Sequence, residues 1–576
     1  MAKRKEIVFL LVIIAVAAFF RLWQLDSIPP GLYPDVAING NEALNTLKAA
    51  PPAGGFKVFY PENNGREGLM IWLIALSFSI FGISIWSIKI TAAIVGILTV
   101  FGLYLLTKEL FSQIVNQSNS QFIALLASFF LAVSFWHTNF SRIGFRAILV
   151  PFILVFAFYF LFKGLHKKRT LYFIISGIFF GLGFYTYISY RFIVLLLPLV
   201  LICWWFIYQK PAFANPLRRS FSEARASAGR QNLQKKFLLS IFYFLFSIFI
   251  VAFPIGVYFL QHPQDFIGRA APISIFTAEN PIKEFGKSLI LHLGMFNFYG
   301  DPNWRHNISG SPILFWPVGI LFLIGIIFSI KEFMSSIKKK NCSLFIVYCS
   351  LLSWFFLMLL PGVLTYEGIP HSLRTIGAIP PTFIFAGIGT TFLYEKMKYS
   401  HMGPKRSLGG WWAGCSLKNI GIFFLIFVMF FEGYRYFILW GKNQNVRDAF
   451  SKNYLEIGNY LNSLPPEIQK YVIINMSGVP VPFPNGIPIP AQTVMFVENI
   501  KYGKPQSTYL LPQNLDQIKI EKETVIIPMR YDENLFINLW QKFPGGEILE
   551  KEGIWIYKIG AKLKTQSAKP KLKTQT

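Results

Sequence analysis

Leu69-Met70-Ile71-Trp72-Leu73-Ile74-Ala75-Leu76-Ser77-Phe78-Ser79-Ile80-Phe81 is the stretch on which the reading of this chain turns. It is apolar apart from two serines, with Arg66-Glu67-Gly68 before it and Gly82 after it. A helix crossing the hydrocarbon core of a bilayer takes roughly 20 apolar residues. This run is well short of that, so it is expected to lie in the interface or to re-enter without spanning. Spans are expected near 6–23, 85–107, 120–137, 146–165, 170–188, 191–208, 237–260, 312–331, 343–360, 376–394 and 419–440.

The choice at 69–81 sets the side of everything downstream. If that run does not span, loops 1–5, 108–119, 163–170, 209–236, 331–341 and 395–418 share one side. These loops hold Lys3, Arg4 and Lys5, then Lys163, Lys167, Lys168 and Arg169, then Lys210, Arg218, Arg219, Arg225 and Arg230. They also hold Lys338, Lys339, Lys340, Lys405 and Arg406, whereas the opposite loops are poor in Lys and Arg. Cytoplasmic loops carry the excess of positive charge. The expectation is a multi-pass protein of the cell membrane with a cytoplasmic N-terminus and the segment from about 441 outside. The first run, closed by Arg21 and Trp23, lacks a small-residue cleavage site and reads as a retained anchor.

Composition agrees. Of 576 residues, 53% are hydrophobic, 17% aromatic and only 14% charged, where soluble domains carry about 25% charged residues. That excludes an ordinary soluble enzyme, a disordered chain and a coiled coil. The net charge of +27 sits mostly in short loops. Nucleic-acid binding would need it gathered on one soluble face, so no nucleic acid is expected as a partner. Cys203, Cys342, Cys349 and Cys415 form no Cys-x-x-Cys pair, so a thiolate zinc site is not expected.

Beyond 440 the pattern changes. Prolines 480, 482, 484, 488 and 490 break the chain, and Tyr471–Ile474, Thr524–Pro528 and Ile554–Ile559 read as short strands. Asp448–Leu464 has the periodicity of an amphipathic helix. The predicted architecture is a polytopic α-helical membrane protein of about 11 transmembrane helices, with a small C-terminal α/β extracytoplasmic domain. Residues 1–440 form the membrane module, with juxtamembrane helices in its first outer loop (24–84). Residues 441–560 form the outer domain, and 561–576 a disordered basic tail.

Six polar clusters fall on the predicted outer side. After the first helix, Asp35, Asn39, Glu42 and Thr46 recur at helical spacing and line one face; Asp35 serves there either as a helix cap or in a site. Glu62-Asn63-Asn64-Gly65-Arg66-Glu67 opens the short apolar run, either as solvated charge or as part of a site. Arg142 and Arg146 stand one turn apart, suited to phosphate through the planar guanidinium fork, or to lipid headgroups by snorkelling. Tyr187 and Arg191 lie together between two helices, as ligand contacts or as an interfacial tyrosine belt. Asp301, Arg305 and His306 end a long outer loop, and Glu367, His371 and Arg374 form the sixth cluster. Ionisable groups beside a bilayer are costly and mark sites or pathways.

A carboxylate with several arginines outside the cytoplasm suits a lipid-borne donor whose leaving group is a phosphate. The carboxylate takes a proton from an incoming hydroxyl, and the guanidiniums stabilise charge on the departing phosphate. No Gly-rich phosphate loop and no Ser-His-Asp signature is present.

These motifs resemble the membrane-embedded C-type glycosyltransferases, in particular the protein O-mannosyltransferase and aminoarabinose-transferase group (glycosyltransferase family 39). The likeness rests on Pro29-Pro30-Gly31-Leu32-Tyr33-Pro34-Asp35 with Asn41-Glu42-Ala43, on Arg66-Glu67-Gly68-Leu69, on Leu76–Leu110, on Ser141–Arg146, and on Tyr185-Thr186-Tyr187 with Arg191. It covers about residues 1–400. The resemblance implies an inverting transfer from a polyprenyl-phosphate-linked sugar to an extracytoplasmic acceptor (protein, lipid or glycan), with membrane lipid around the donor. It makes Asp35 the general base, with Glu42 beside it in the catalytic group. Relatives often have two adjacent acids where this chain has Asp35-Val36, and a basic residue before two prolines where it has Glu67-Gly68. Arg66, Glu67, Arg142, Arg146, Tyr187 and Arg191 become donor contacts, and His371 and Arg374 line the donor's route. Asp301, Arg305, His306 and Glu367 form a possible further site. No cofactor is implied, and a divalent metal is not favoured. The rival readings are a flippase for lipid-linked saccharide, a ligase using a pyrophosphate-linked donor, and a non-catalytic envelope protein. The first predicts charges at the bilayer midplane and paired broken helices, which the sequence does not show.

Overall fold

The structure, a computed structural model, describes residues 3–48, 55–209, 222–268, 271–401, 417–481, 486–560 and 573–574. Lys210, Arg218, Arg219, Lys405, Arg406, Cys415, Pro482 and Pro484 lie outside the described residues. So does the tail 561–576 apart from Lys573–Thr574, which pair in parallel with Leu549–Glu550.

Each of the expected spans falls on helix. Among the described residues, seven helical segments are long and apolar enough to cross a membrane by length and composition: Ile85–Phe111, Arg146–Lys167, Lys235–Gln261, Trp316–Lys338, Cys342–Val363, Ile376–Lys398 and Leu417–Trp440. The other four are Lys3–Leu22 and the shorter Gln117–Val133, Thr170–Gly183 and Ile188–Ile202. Leu69–Phe81 is a helix of 13 residues, shorter than the roughly 20 that a span takes.

The chain divides into two compact units. The first comprises Met1–Trp23, Ala92–Arg142 and Arg146–Trp440. Its helices meet where glycine removes the side chain. A Cβ on Gly325 would lie 1.8 Å from the Phe385 carbonyl oxygen, and one on Gly389 2.0 Å from that of Leu321. Small residues let backbones approach without the help of water-driven burial, which lipid does not supply. Phe242, Phe246, Phe249 and Phe253 of the helix Ser222–Gln261 are exposed, an apolar face that a soluble protein would cover and that lipid solvates. The fold is that of a polytopic α-helical membrane protein.

The second unit comprises Gln24–Thr91, Ile143–Phe145 and Gly441–Thr576. It joins residues 24–91 to the C-terminal segment, a grouping that a linear division of the chain does not contain. Its sheet runs in the order Lys573–Thr574, Glu547–Lys551, Ile554–Ile559, Thr524–Pro528, Gln469–Ile473, Thr508–Leu510. Gln469–Ile473 is parallel to both its neighbours, and Ile554–Ile559 is antiparallel to both of its own. Helix Lys452–Ser463 buries Tyr454, Ile457 and Leu461 on one face, one turn apart as the amphipathic pattern demands.

Helix Pro34–Lys48 packs into this unit through polar contacts. Asn41 Nδ2 donates to the Gln492 carbonyl oxygen at 3.2 Å and to Gln492 Oε1 at 2.8 Å, and Asn499 Nδ2 donates to Asn41 Oδ1 at 2.8 Å. Thr493 Oγ1 donates to the Leu32 carbonyl at 3.0 Å. Gly31 has φ +81, and a Cβ there would sit 2.5 Å from the Phe450 carbonyl oxygen. Any other residue would force this turn away from its neighbour.

Candidate functional site

In the second unit the stripe predicted on helix Pro34–Lys48 faces the segment Tyr60–Arg66 along its length. Asn63 Nδ2 donates to Asp35 Oδ1 at 2.9 Å. Arg66 Nη1 donates to Asn39 Oδ1 at 2.9 Å, while its Nη2 lies 3.6 Å from Glu42 Oε1 and 3.7 Å from Glu62 Oε2. Thr46 Oγ1 and the Tyr60 hydroxyl are 3.0 Å apart. The turn that presents Asn63 is built by three consecutive left-handed residues, Asn63, Asn64 and Gly65 (φ 54, 60 and 84). Asparagine and glycine are the residues that tolerate this region.

Asp35 lies within the first turn of its helix, and its carboxylate accepts from Asn63 rather than from a helix N–H. The capping role therefore gives way to an oriented side chain. Asp35 is half-buried, and among the described residues Asn63 is its only hydrogen-bond donor. One carboxylate oxygen is thus held and the other left without a donor. Arg66, by contrast, is fully buried between Asn39, Glu42 and Glu62. Its planar fork closes the loop onto the helix. Burial raises the Glu42 carboxyl, Arg66 opposes that rise and Glu62 adds to it, with a net upward shift. Glu67 is buried in the two-residue strand that pairs with Phe59–Tyr60.

In the first unit the arginines have separate surroundings. Arg142 donates from Nη1 to the Phe20 carbonyl at 2.9 Å and from Nη2 to that of Trp23 at 2.7 Å, and lies over the Tyr436 ring at 5.5 Å. It therefore serves the carbonyl end of the first helix, where cations are favoured. Arg21, read above only as the close of that helix, is also buried. Its Nη1 donates to the Ala17 and Ala132 carbonyls at 3.0 and 2.8 Å, and its Nη2 lies 2.7 Å from His137 Nδ1. Nothing in the sequence separated Arg21 from a snorkelling anchor, and His137 carried no motif. Arg146 lies over the Tyr187 ring at 5.4 Å, so those two expected donor contacts meet. Arg191 donates to the Phe266 carbonyl at 2.6 Å.

The fifth and sixth clusters converge. Asp301 is fully buried. Its Oδ1 accepts from the Asn303 N–H at 2.8 Å; its Oδ2 accepts from the Ser372 N–H at 2.8 Å and the Ser372 hydroxyl at 2.9 Å, with His306 Nδ1 at 3.0 Å. His371 Nδ1 stands 3.9 Å from the same oxygen. The pairing of Asp301 and His306 with His371, and the part of Ser372, were not legible from spacing, since more than sixty residues separate the segments. Burial would raise the Asp301 carboxyl, but the His306 imidazole beside it and the donated hydrogen bonds outweigh that and hold it well below the usual range. Burial pushes His371 well down, with His306 and Arg374 adding to it. Arg305 turns its carbonyl to Asn139 Nδ2 at 2.7 Å, and Arg374 Nη1 donates to Thr365 Oγ1 at 2.7 Å and to the Glu367 carbonyl at 2.8 Å.

Residues 69–220 match the family model described as dolichyl-phosphate-mannose-protein mannosyltransferase. The fold is similar along its length to that of ArnT from Cupriavidus metallidurans in the apo state, at 10% identity and a TM-score of 0.52 over 98% of this chain and 100% of that one. Over residues 69–220 the likeness is one of sequence, and along the whole chain it is one of fold. The same ArnT bound to undecaprenyl phosphate is similar at 11% identity and a TM-score of 0.50, over 97% and 98% of the two chains. An oligosaccharyltransferase of Archaeoglobus fulgidus is similar at 14% identity and a TM-score of 0.47, over 90% of this chain and 66% of that one. No curated protein of similar sequence was found.

Proposed function

We propose that the protein is a glycosyltransferase that moves a sugar from a polyprenyl-phosphate-linked donor to an acceptor outside the cytoplasm, with inversion at the anomeric carbon. The reading sets the chain in the cell membrane with its N-terminus cytoplasmic and the segment from 441 outside. The observation that carries it is the Asp35 carboxylate: half-buried, oriented by Asn63 through one oxygen, with the other oxygen left to take a proton. Asp35 removes the proton of the acceptor nucleophile as it attacks the anomeric carbon. The bond to the carrier phosphate breaks on the opposite face, which is what inverts the centre.

The match over residues 69–220 supports a polyprenyl-phosphate donor, as does the likeness to a protein solved with undecaprenyl phosphate. Arg146 with Tyr187, together with Arg191 and Arg374, are proposed contacts for donor phosphate or sugar. Glu42 acts through Arg66, holding the loop that carries Asn63. The deciding experiment supplies labelled polyprenyl-phosphate sugars to membranes containing the wild type or Asp35→Asn. Transfer falls by about 10²–10⁴-fold in the variant if Asp35 is the base. Unchanged transfer removes Asp35 from the mechanism.

A further inference from the structure

Asp301, His306 and His371 each offer a ligand atom, and these atoms all lie within 4.8 Å of one another. We propose that they bind a zinc ion that ties the segment around 300–311 to the segment around 365–375. The proposal stands apart from the transfer reading and does not need it.

The geometry suits one ion. Asp301 Oδ2 lies 3.0 Å from His306 Nδ1 and 3.9 Å from His371 Nδ1. Ligands bound to tetrahedral zinc at about 2.0–2.1 Å lie about 3.3 Å apart. Small side-chain rotations bring all three onto one centre. His371 Nδ1 is buried and has no hydrogen-bond partner among the described residues. A buried polar atom left so is costly, and metal ligation satisfies it.

The surroundings are those of a held ligand set. The N–H and hydroxyl of Ser372 both donate to Asp301 Oδ2, and the Asn303 N–H fixes Oδ1. The His371 N–H donates to His292 Nε2 at 3.1 Å, and His292 Nδ1 lies 2.8 Å from the Ser288 carbonyl. Such contacts orient ligands around a metal. The Phe140 ring, 5.6 Å from that of His306, supplies an apolar wall.

Ligand chemistry selects the ion. Two imidazoles and a carboxylate suit zinc, whereas magnesium and calcium take oxygen sets. Three protein ligands leave a fourth position for water. His371 is the most open of the three, its side chain 14% exposed against 3% for His306 and 1% for Asp301. Binding needs Nδ1 of both imidazoles bare. The proton between His306 and Asp301 moves to His306 Nε2 or leaves to solvent, and the metal takes its place.

The test uses the full chain purified in detergent without chelator. Mass spectrometry of bound metal is expected to give about one zinc per chain. A chelator lowers the melting temperature and added zinc restores it. Cobalt exchanged into the site gives visible bands of a four-coordinate ion. His371→Ala abolishes those bands, while His371→Cys keeps the ion and adds a thiolate-to-cobalt charge-transfer band. The cysteine variant answers even where the alanine variant fails to fold. The proposal is overturned if the folded wild type binds no zinc and its melting temperature ignores both chelator and zinc. It is equally overturned if zinc persists in both Asp301→Ala and His371→Ala, or if cobalt binds the cysteine variant without the new band.

Discussion

Asp35 and Asp301 are both carboxylates in polar segments between apolar helices, yet the structure treats them in opposite ways. Asp35 accepts one hydrogen bond, from Asn63, and stays half-exposed. Asp301 is fully buried and accepts from Asn303 and twice from Ser372, with His306 beside it. A base needs an oxygen that is oriented but not occupied. A carboxylate held by several donors on both oxygens is fixed in place, as a structural tie or an oriented metal ligand is. On the proposed reading, the number of donors and not the presence of an acid sets the two carboxylates apart.

The comparison breaks most sharply on paired variants. Asp35→Asn is expected to cost about 10²–10⁴-fold in transfer while the melting temperature stays near that of the wild type. Asp301→Asn is expected to do the reverse at the level of folding. It leaves His306 and His371 without their carboxylate, at a cost on the order of 3 kcal/mol, visible as a lower melting temperature before any kinetic change. Equal thermal losses in the two variants would erase the distinction.

Arg66→Met comes next. It leaves Glu42 and Glu62 facing each other without the guanidinium between them, a loss of about 2–3 kcal/mol for a broken buried pair. Limited proteolysis in the 55–68 segment would report it. Asn63→Ala is a smaller change. It frees the Asp35 carboxylate to rotate, so transfer should fall by about tenfold, the weight of one hydrogen bond, with KM for donor little altered.

The smallest effect is a pH dependence with opposite signs at two acids. The Asp301 carboxyl is depressed in the folded state. Its stabilisation is full above the unfolded value of about 3.9 and is lost as pH falls toward the folded one. The Glu42 carboxyl is raised, so its contribution is present below its unfolded value of about 4.3 and is lost as pH rises through the folded one. Melting curves of Asp301→Asn should lose the acid-side decline of the wild type, and those of Glu42→Gln should lose the decline on the neutral side.

Much of this was written in local pattern. The helices at the expected spans followed from apolar runs, because burial in lipid makes hydrophobicity a sequential property. The strands Thr524–Pro528 and Ile554–Ile559 appeared where the apolar runs had been read. The helix Ala491–Tyr502 and the strand Glu547–Lys551 were not seen beforehand. Their residues owe their state to the sheet around them, and tertiary context overrides weak local preference.

At the candidate site the stripe Asp35-Asn39-Glu42-Thr46 was legible because a helix repeats every 3.6 residues. What Arg66 and Arg142 do was not. Each is a guanidinium in a polar motif, but one meets carboxylates and the other helix carbonyls.

The sequence by itself determined that this is a membrane chain, where its helices run, and which polar residues stand between them. Only the tertiary structure decided which of those residues are engaged, because a partner such as Ser372 for Asp301 comes from a distant segment. The energy of a charge depends on the donors and acceptors that surround it, and those are set by the folding of the whole chain.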